Sequence, residues 1–239
     1  MKLKLDNFVN STLRPLLANE NGQKPSLWIF GYGSLIWNPG FAYEQHAKAR
    51  LPGYSRRFYQ GNTTYRGTED RPGRVVTIIE DQQEDTYGLA FKVQGWSQLT
   101  AALDHLHYRE IQSGYVFRVV SIELTEIQQT VQALTCIALK DNAFFMAPST
   151  SVVIEKSADD QQIHMKLMAY QIATASGKGG PNHEYLSKLA DSMRVLFPHA
   201  FDEHLFQLET LMLQFMNVDT ATYDRVQLVE LRTGKLQAS

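Results

Sequence analysis

Residues 27–40 read LWIFGYGSLIWNPG, an apolar and aromatic run interrupted at Gly31-Tyr32-Gly33-Ser34 and resumed at once. Glycine inside a strand costs stability, so two of them there mark a bend or a close approach to the backbone. Bared N–H groups at such a bend can hold a carboxylate or a carbonyl oxygen, and a plain bulge or tight turn would use the same residues. A dinucleotide fingerprint is not present, because Gly31-x-Gly33 leads into Leu35-Ile36 with Pro39 close behind. Neither is a nucleophile elbow, since Tyr32 and Ile36 stand where G-x-S-x-G needs glycine.

Working outward, Val, Ile, Tyr and Phe enrichment predicts strands near 27–32, 47–60, 74–80, 86–93, 115–124 and 131–140. The segment EDQQED at 80–85 reads as a break between two of them. Residues 96–111 carry apolar side chains at helical spacing, with Ser97 in a capping position. Three further helices are expected near 159–175, 183–196 and 201–216, and an alternating stretch, RVQLVELR, lies near the end. Strands first and helices later predict an α+β fold: a closed or nearly closed, mostly antiparallel sheet with helices packed outside. Residues 1–26 read as an extension, 27–216 as the domain and 217–239 as a tail with a short strand.

Composition narrows the function classes. The chain has 239 residues, 44% of them hydrophobic, with a net charge of −2, so no general attraction to nucleic acid or acidic membranes is expected. The single cysteine, Cys136, lies in the apolar LTCIALK, which favours a buried thiol and a reducing compartment. No stretch approaches the roughly 18 apolar residues of a membrane span. Asp6, Asn7 and Asn10 break the h-region of a secretory signal, so a cytoplasmic location is expected.

Glu110 is the candidate acid. Leu99, Leu103 and Leu106 share one helical face, and Glu110 continues it into the last turn, where the helix dipole disfavours a negative charge. Partial desolvation there would raise its pKa towards use in proton transfer; pairing with Arg109 at the surface is the alternative. Asp104, His105, His107 and Glu110 invite a metal reading, but His105 and His107 diverge around the helix. Between Lys48 and Arg74 stand seven basic residues, interleaved with aromatics at Tyr54, Phe58 and Tyr59. That pattern suits a solvated face, a field for a small anion, or a single-stranded RNA reader.

WIFGYGSLIWNPGF, YSRRFYQGNTTYRG, RPGRVVTI, YREIQSGY and GPNHEYL occur in that order, and together resemble the ChaC family of glutathione-specific γ-glutamylcyclotransferases. The resemblance runs from about Leu27 to about Phe206. It implies a lyase that cleaves glutathione to 5-oxoproline and cysteinylglycine with no cofactor and no metal, on a small β-barrel flanked by helices. It places the substrate loop on Tyr32, Gly33, Ser34 and Leu35, the catalytic carboxylate on Glu110, and further substrate contacts on Tyr115 and Tyr185. The spacing REIQSGY holds one residue more than the family pattern before Gly-Tyr, which bears on Tyr115. Expected partners are glutathione alone, with no nucleic acid, membrane or obligate protein. Other γ-glutamyl peptides or amines, or glutathione sensing without catalysis, are the alternatives.

Overall fold

Five strands close a β-barrel in the computed structural model, which describes residues 24–147 and 158–217. They are β1 (Ser26–Gly31), β2 (Gln45–Asn62), β3 (Gly73–Gln94), β4 (Tyr115–Leu124) and β5 (Gln129–Ala138). The order around the barrel is β1-β3-β2-β4-β5. Pairing is antiparallel between β1 and β3, β2 and β4, and β4 and β5. The closing pair differs: β1 meets β5 in parallel at Trp28↔Ala133 and Ile29↔Leu134. Four helices are described, α1 (Trp96–Arg109), α2 (Ala158–Thr174), α3 (Asn182–Leu196) and α4 (Glu203–Asn217). The α+β barrel expected from the sequence is therefore the fold.

The predicted break at 80–85 is absent, because β3 runs unbroken for 22 residues. EDQQED holds no glycine or proline and no residue with a left-handed backbone, so nothing turns the chain there. This middle stretch of β3 is largely exposed, and Asp85 there accepts from Arg50 Nη1 at 2.6 Å. The last expected strand, RVQLVELR, and most of the N-terminal extension lie outside the described residues.

Chain contacts divide the described residues into two units, 24–55 with 78–143, and 56–77 with 144–147 and 158–217. In the first unit the core holds Ile29, Phe30, Leu51, Ile78, Phe91, Ile122 and Leu134, all essentially inaccessible. Helix α1 buries Leu99, Leu103 and Leu106, the stripe read from the sequence, together with Ala102. Each buried leucine contributes about 1.5–3 kcal/mol, so the register of α1 is firmly set. The helix begins after Gly95, whose φ of 84° makes it the cap in place of Ser97.

In the second unit α2, α3 and α4 bury Met168, Ile172, Leu186, Leu189, Met193, Leu205, Leu208 and Met212. Asn182 is wholly buried there and treats Arg74 as a strand partner would. Its Oδ1 accepts the Arg74 N–H at 2.6 Å, and its Nδ2 donates to the Arg74 carbonyl at 2.8 Å.

Candidate active site

The loop after β1 is organised by contacts that only glycine allows. A Cβ on Gly31 would lie 2.6 Å from Leu35 Cβ, well inside the carbon–carbon contact distance. What approaches Gly31 is thus the loop's own Leu35. Across the sheet, a Cβ on Gly88 would lie 2.3 Å from the Gly31 carbonyl oxygen. The chain then closes a single 3-10 turn at Ser34–Ile36, with Ile36 N donating to Gly33 O at 2.9 Å and Asn38 N to Ser34 O at 2.9 Å.

Within that loop Tyr32 and Leu35 are buried, while Gly33 and Ser34 are half-buried. The Tyr32 hydroxyl donates to the Cys136 carbonyl on β5 at 2.5 Å. The buried phenol therefore has a partner for its O–H, and it fastens the loop to the barrel wall.

Helix α1 ends at the second feature. Glu110 is its C-cap residue and donates its N–H to the Leu106 carbonyl at 2.8 Å. One 3-10 turn, Ile111–Ser113, follows and stops at Gly114, whose φ of 90° lies in the left-handed region. The Glu110 carbonyl accepts N–H groups from Ser113 at 3.0 Å and Tyr115 at 3.2 Å. A helix end of this kind would otherwise leave carbonyls unpaired.

The Glu110 side chain is 17% exposed and pairs with Arg109, Nε to Oε1, at 2.9 Å. Both sequence readings of Glu110 therefore hold in part: it is largely withdrawn from solvent, and it has Arg109 as counter-ion. Burial raises its pKa, and the Arg109 charge pulls it partway back. Cys136 is buried with its thiol pKa raised well above the ordinary value, first by burial and then by the Glu110 charge. It stays protonated, which fits the structural thiol read from LTCIALK.

Arg109 joins loop and acid. Besides Glu110, its Nη2 donates to Ser34 Oγ at 2.7 Å and its Nη1 to the Asn38 carbonyl at 2.6 Å. From the sequence, Arg109 offers itself as a partner for Glu110 and nothing more distant. Its reach across 75 residues of chain to Ser34 has no local signal beyond its place beside Glu110.

The remaining candidates fall in two places. Tyr115 opens β4 and its side chain is buried, beside the backbone knot that Glu110 and Gly114 form. Tyr185 belongs to the second unit, buried on α3, with its ring edge-on to Phe58 and its hydroxyl accepting the Val76 N–H at 3.5 Å.

Three cations of the 48–74 run are engaged within the fold, while Arg71 is exposed and Lys48, Arg57 and Arg66 are half-buried. Arg56 is buried and paired to Asp202 at 2.8 Å. Buried Arg74 donates to Gln171 Oε1 at 2.6 Å and to the Phe58 and Met146 carbonyls, and burial lowers its pKa to about 10. Arg50 is held by Asp85 and Glu123. These cations are engaged in the fold, which removes the RNA-reading alternative for Arg56.

His105 lies where a Cβ on Gly40 would come within 2.3 Å of its Nε2, packed against Phe41. Among the described residues no three His, Cys, Asp or Glu side chains gather at one point. Among the same residues, no helix is long and apolar enough to cross a membrane.

Comparison with known proteins gives consistent results. A family model described as ChaC-like protein matches residues 27–214. The zebrafish protein named glutathione-specific gamma-glutamylcyclotransferase 1 is 42% identical over 192 residues, covering 80% of this chain and 90% of the relative. The human protein of the same name is 40% identical over 187 residues, covering 77% of this chain and 78% of the relative. A crystal structure of a γ-glutamyl cyclotransferase specific to glutathione from yeast superposes with a TM-score of 0.69. It covers 81% of this chain and 98% of that one at 24% identity, a likeness of fold.

Proposed function

The chain belongs to the ChaC-like family, and we propose that it cleaves glutathione to 5-oxoproline and cysteinylglycine by intramolecular cyclisation. The observation that carries this reading is a carboxyl held largely out of water at Glu110 and tied through Arg109 to Ser34. The names of the relatives supply the substrate class.

The γ-glutamyl α-amine attacks its own γ-amide carbon, so no protein nucleophile is required. Glu110 as carboxylate removes one proton from the α-ammonium, and the freed amine adds to the carbonyl. The tetrahedral carbon then bears the former carbonyl oxygen as oxyanion. Its collapse breaks the bond to the cysteinyl nitrogen, which takes the proton that Glu110 holds. The regenerated carboxylate accepts the surplus proton of the new lactam nitrogen and passes it to the released amine. Glu110 thus acts twice as base and twice as acid, and ends as the carboxylate it began as.

The Tyr32–Leu35 loop, on this reading, grips the γ-glutamyl head through backbone N–H groups and folds it into attack geometry. Tyr115 and Tyr185 are proposed as further substrate contacts. The test is release of 5-oxoproline from glutathione and, in parallel, from γ-glutamyl-alanine. Product from glutathione alone supports the reading. Equal product from both makes the enzyme a general γ-glutamyl cyclotransferase, and binding without product makes the protein a sensor.

A further inference from the structure

We propose that Arg109 is a positioning residue for this reaction, a clamp that fixes the Glu110 carboxylate relative to the substrate loop; the inference rests on the function proposed above. Three guanidinium nitrogens serve three different acceptors. Nε holds Glu110 Oε1 at 2.9 Å, Nη2 holds Ser34 Oγ at 2.7 Å, and Nη1 holds the Asn38 carbonyl at 2.6 Å. Ser34 opens the 3-10 turn and Asn38 closes it, since Asn38 N donates back to Ser34 O. Arg109 therefore joins both ends of one turn to the acid through a single guanidinium.

Sequence adjacency does not produce this arrangement. Consecutive residues on a helix point about 100° apart and do not face each other. They meet here because α1 ends between them, with Glu110 at φ −105° and ψ −45° as the cap. Lysine could not substitute, because its donors all sit on one atom, whereas the arginine fork spreads its donors in a fixed plane.

The clamp also carries charge. The charged group acting on the Glu110 carboxyl is Arg109, from its own helix end; the Cys136 thiol on β5, whose pKa the Glu110 charge raises, stays protonated. Burial raises the Glu110 pKa and Arg109 opposes that rise. A base that begins the reaction must be ionised, so Arg109 keeps it available at lower pH. Positioning and charge are separable, since lysine retains the second and loses the first.

The experiment measures kcat for 5-oxoproline release from glutathione against pH, with the full chain, in wild type, Arg109→Lys and Arg109→Ala. Both variants should lose about a hundredfold in kcat, the cost of misplacing a reacting group by roughly 1 Å. In Arg109→Ala the acid limb of the profile should move to higher pH; in Arg109→Lys it should stay with wild type. A folded variant with wild-type kcat, or an acid limb unmoved in Arg109→Ala, overturns the proposal. If Arg109→Ala does not fold, Arg109→Lys decides on kcat alone. A wild type that releases no 5-oxoproline fails the proposed function itself, and this inference with it. An active wild type with unaffected variants fails the clamp alone.

Discussion

Gly31→Ala tests whether the loop after β1 is a shaped object or a tolerant turn. The added Cβ would stand 2.6 Å from Leu35 Cβ, against a normal carbon separation of about 3.5–4.0 Å. Leu35 cannot relieve this by changing rotamer, because the clash is with its Cβ. The backbone of the 3-10 turn must retreat by roughly 1 Å to restore contact distance. Overpacking of this kind costs about 1–3 kcal/mol, which in a chain of this size lowers Tm by about 2–12 °C. Because Ser34 lies in the same turn, its bond to Arg109 Nη2 would be drawn away from Glu110. A displacement near 1 Å at reacting groups costs about a hundredfold in rate, so kcat should fall far more than stability suggests. The assay pairs thermal melting with 5-oxoproline release at saturating glutathione. Wild-type kcat in a variant whose Tm has dropped would refute the coupling of loop shape to chemistry.

Three further outcomes are expected. Glu110→Gln, nearly isosteric, should keep its melting temperature within a few degrees and lose about 10²–10⁴ in kcat, read by the same product assay. Asn182→Leu leaves the Arg74 N–H and carbonyl unpaired in the second unit, at a cost of about 2–6 kcal/mol read by urea unfolding. His204 is half-buried and its Nε2 accepts the Phe58 N–H at 3.2 Å, with a pKa held down to about 3 by desolvation and then by Arg57. The unfolded chain binds that proton as pH falls through the ordinary histidine range and the folded one does not, so stability is lost in that window. Between about pH 7 and pH 5 the loss is roughly 2 kcal/mol. His204→Gln, which keeps an acceptor, should show a slope shallower by that amount, and an identical slope would refute the assignment.

Local pattern carried most of the fold. Alternation and β-branched content located the strands, and the spacing of Leu99, Leu103 and Leu106 oriented α1 so that Glu110 emerges largely buried. What the sequence could not show is contact between distant residues. Gly31 invites the idea of a ligand because a strand glycine implies an approach, yet the atoms that approach belong to Leu35. Gly88 receives the Gly31 carbonyl only because β1 and β3 pair in the register Gly31↔Leu89. Arg56 and Arg74 read as a basic surface because burial of a cation is invisible until Asp202 or Gln171 arrives from far along the chain. Arg109 is the sharpest case. Beside Glu110 it reads as a simple neighbour pair, worth little if exposed. Its bonds to Ser34 and Asn38 make it the join between the two segments that the sequence had singled out separately. On the proposed mechanism no triad is needed, because the substrate brings its own nucleophile. The demand on the protein would then be geometric, a proton carrier and a grip at fixed separation, and the proposed role of Arg109 is to hold that separation.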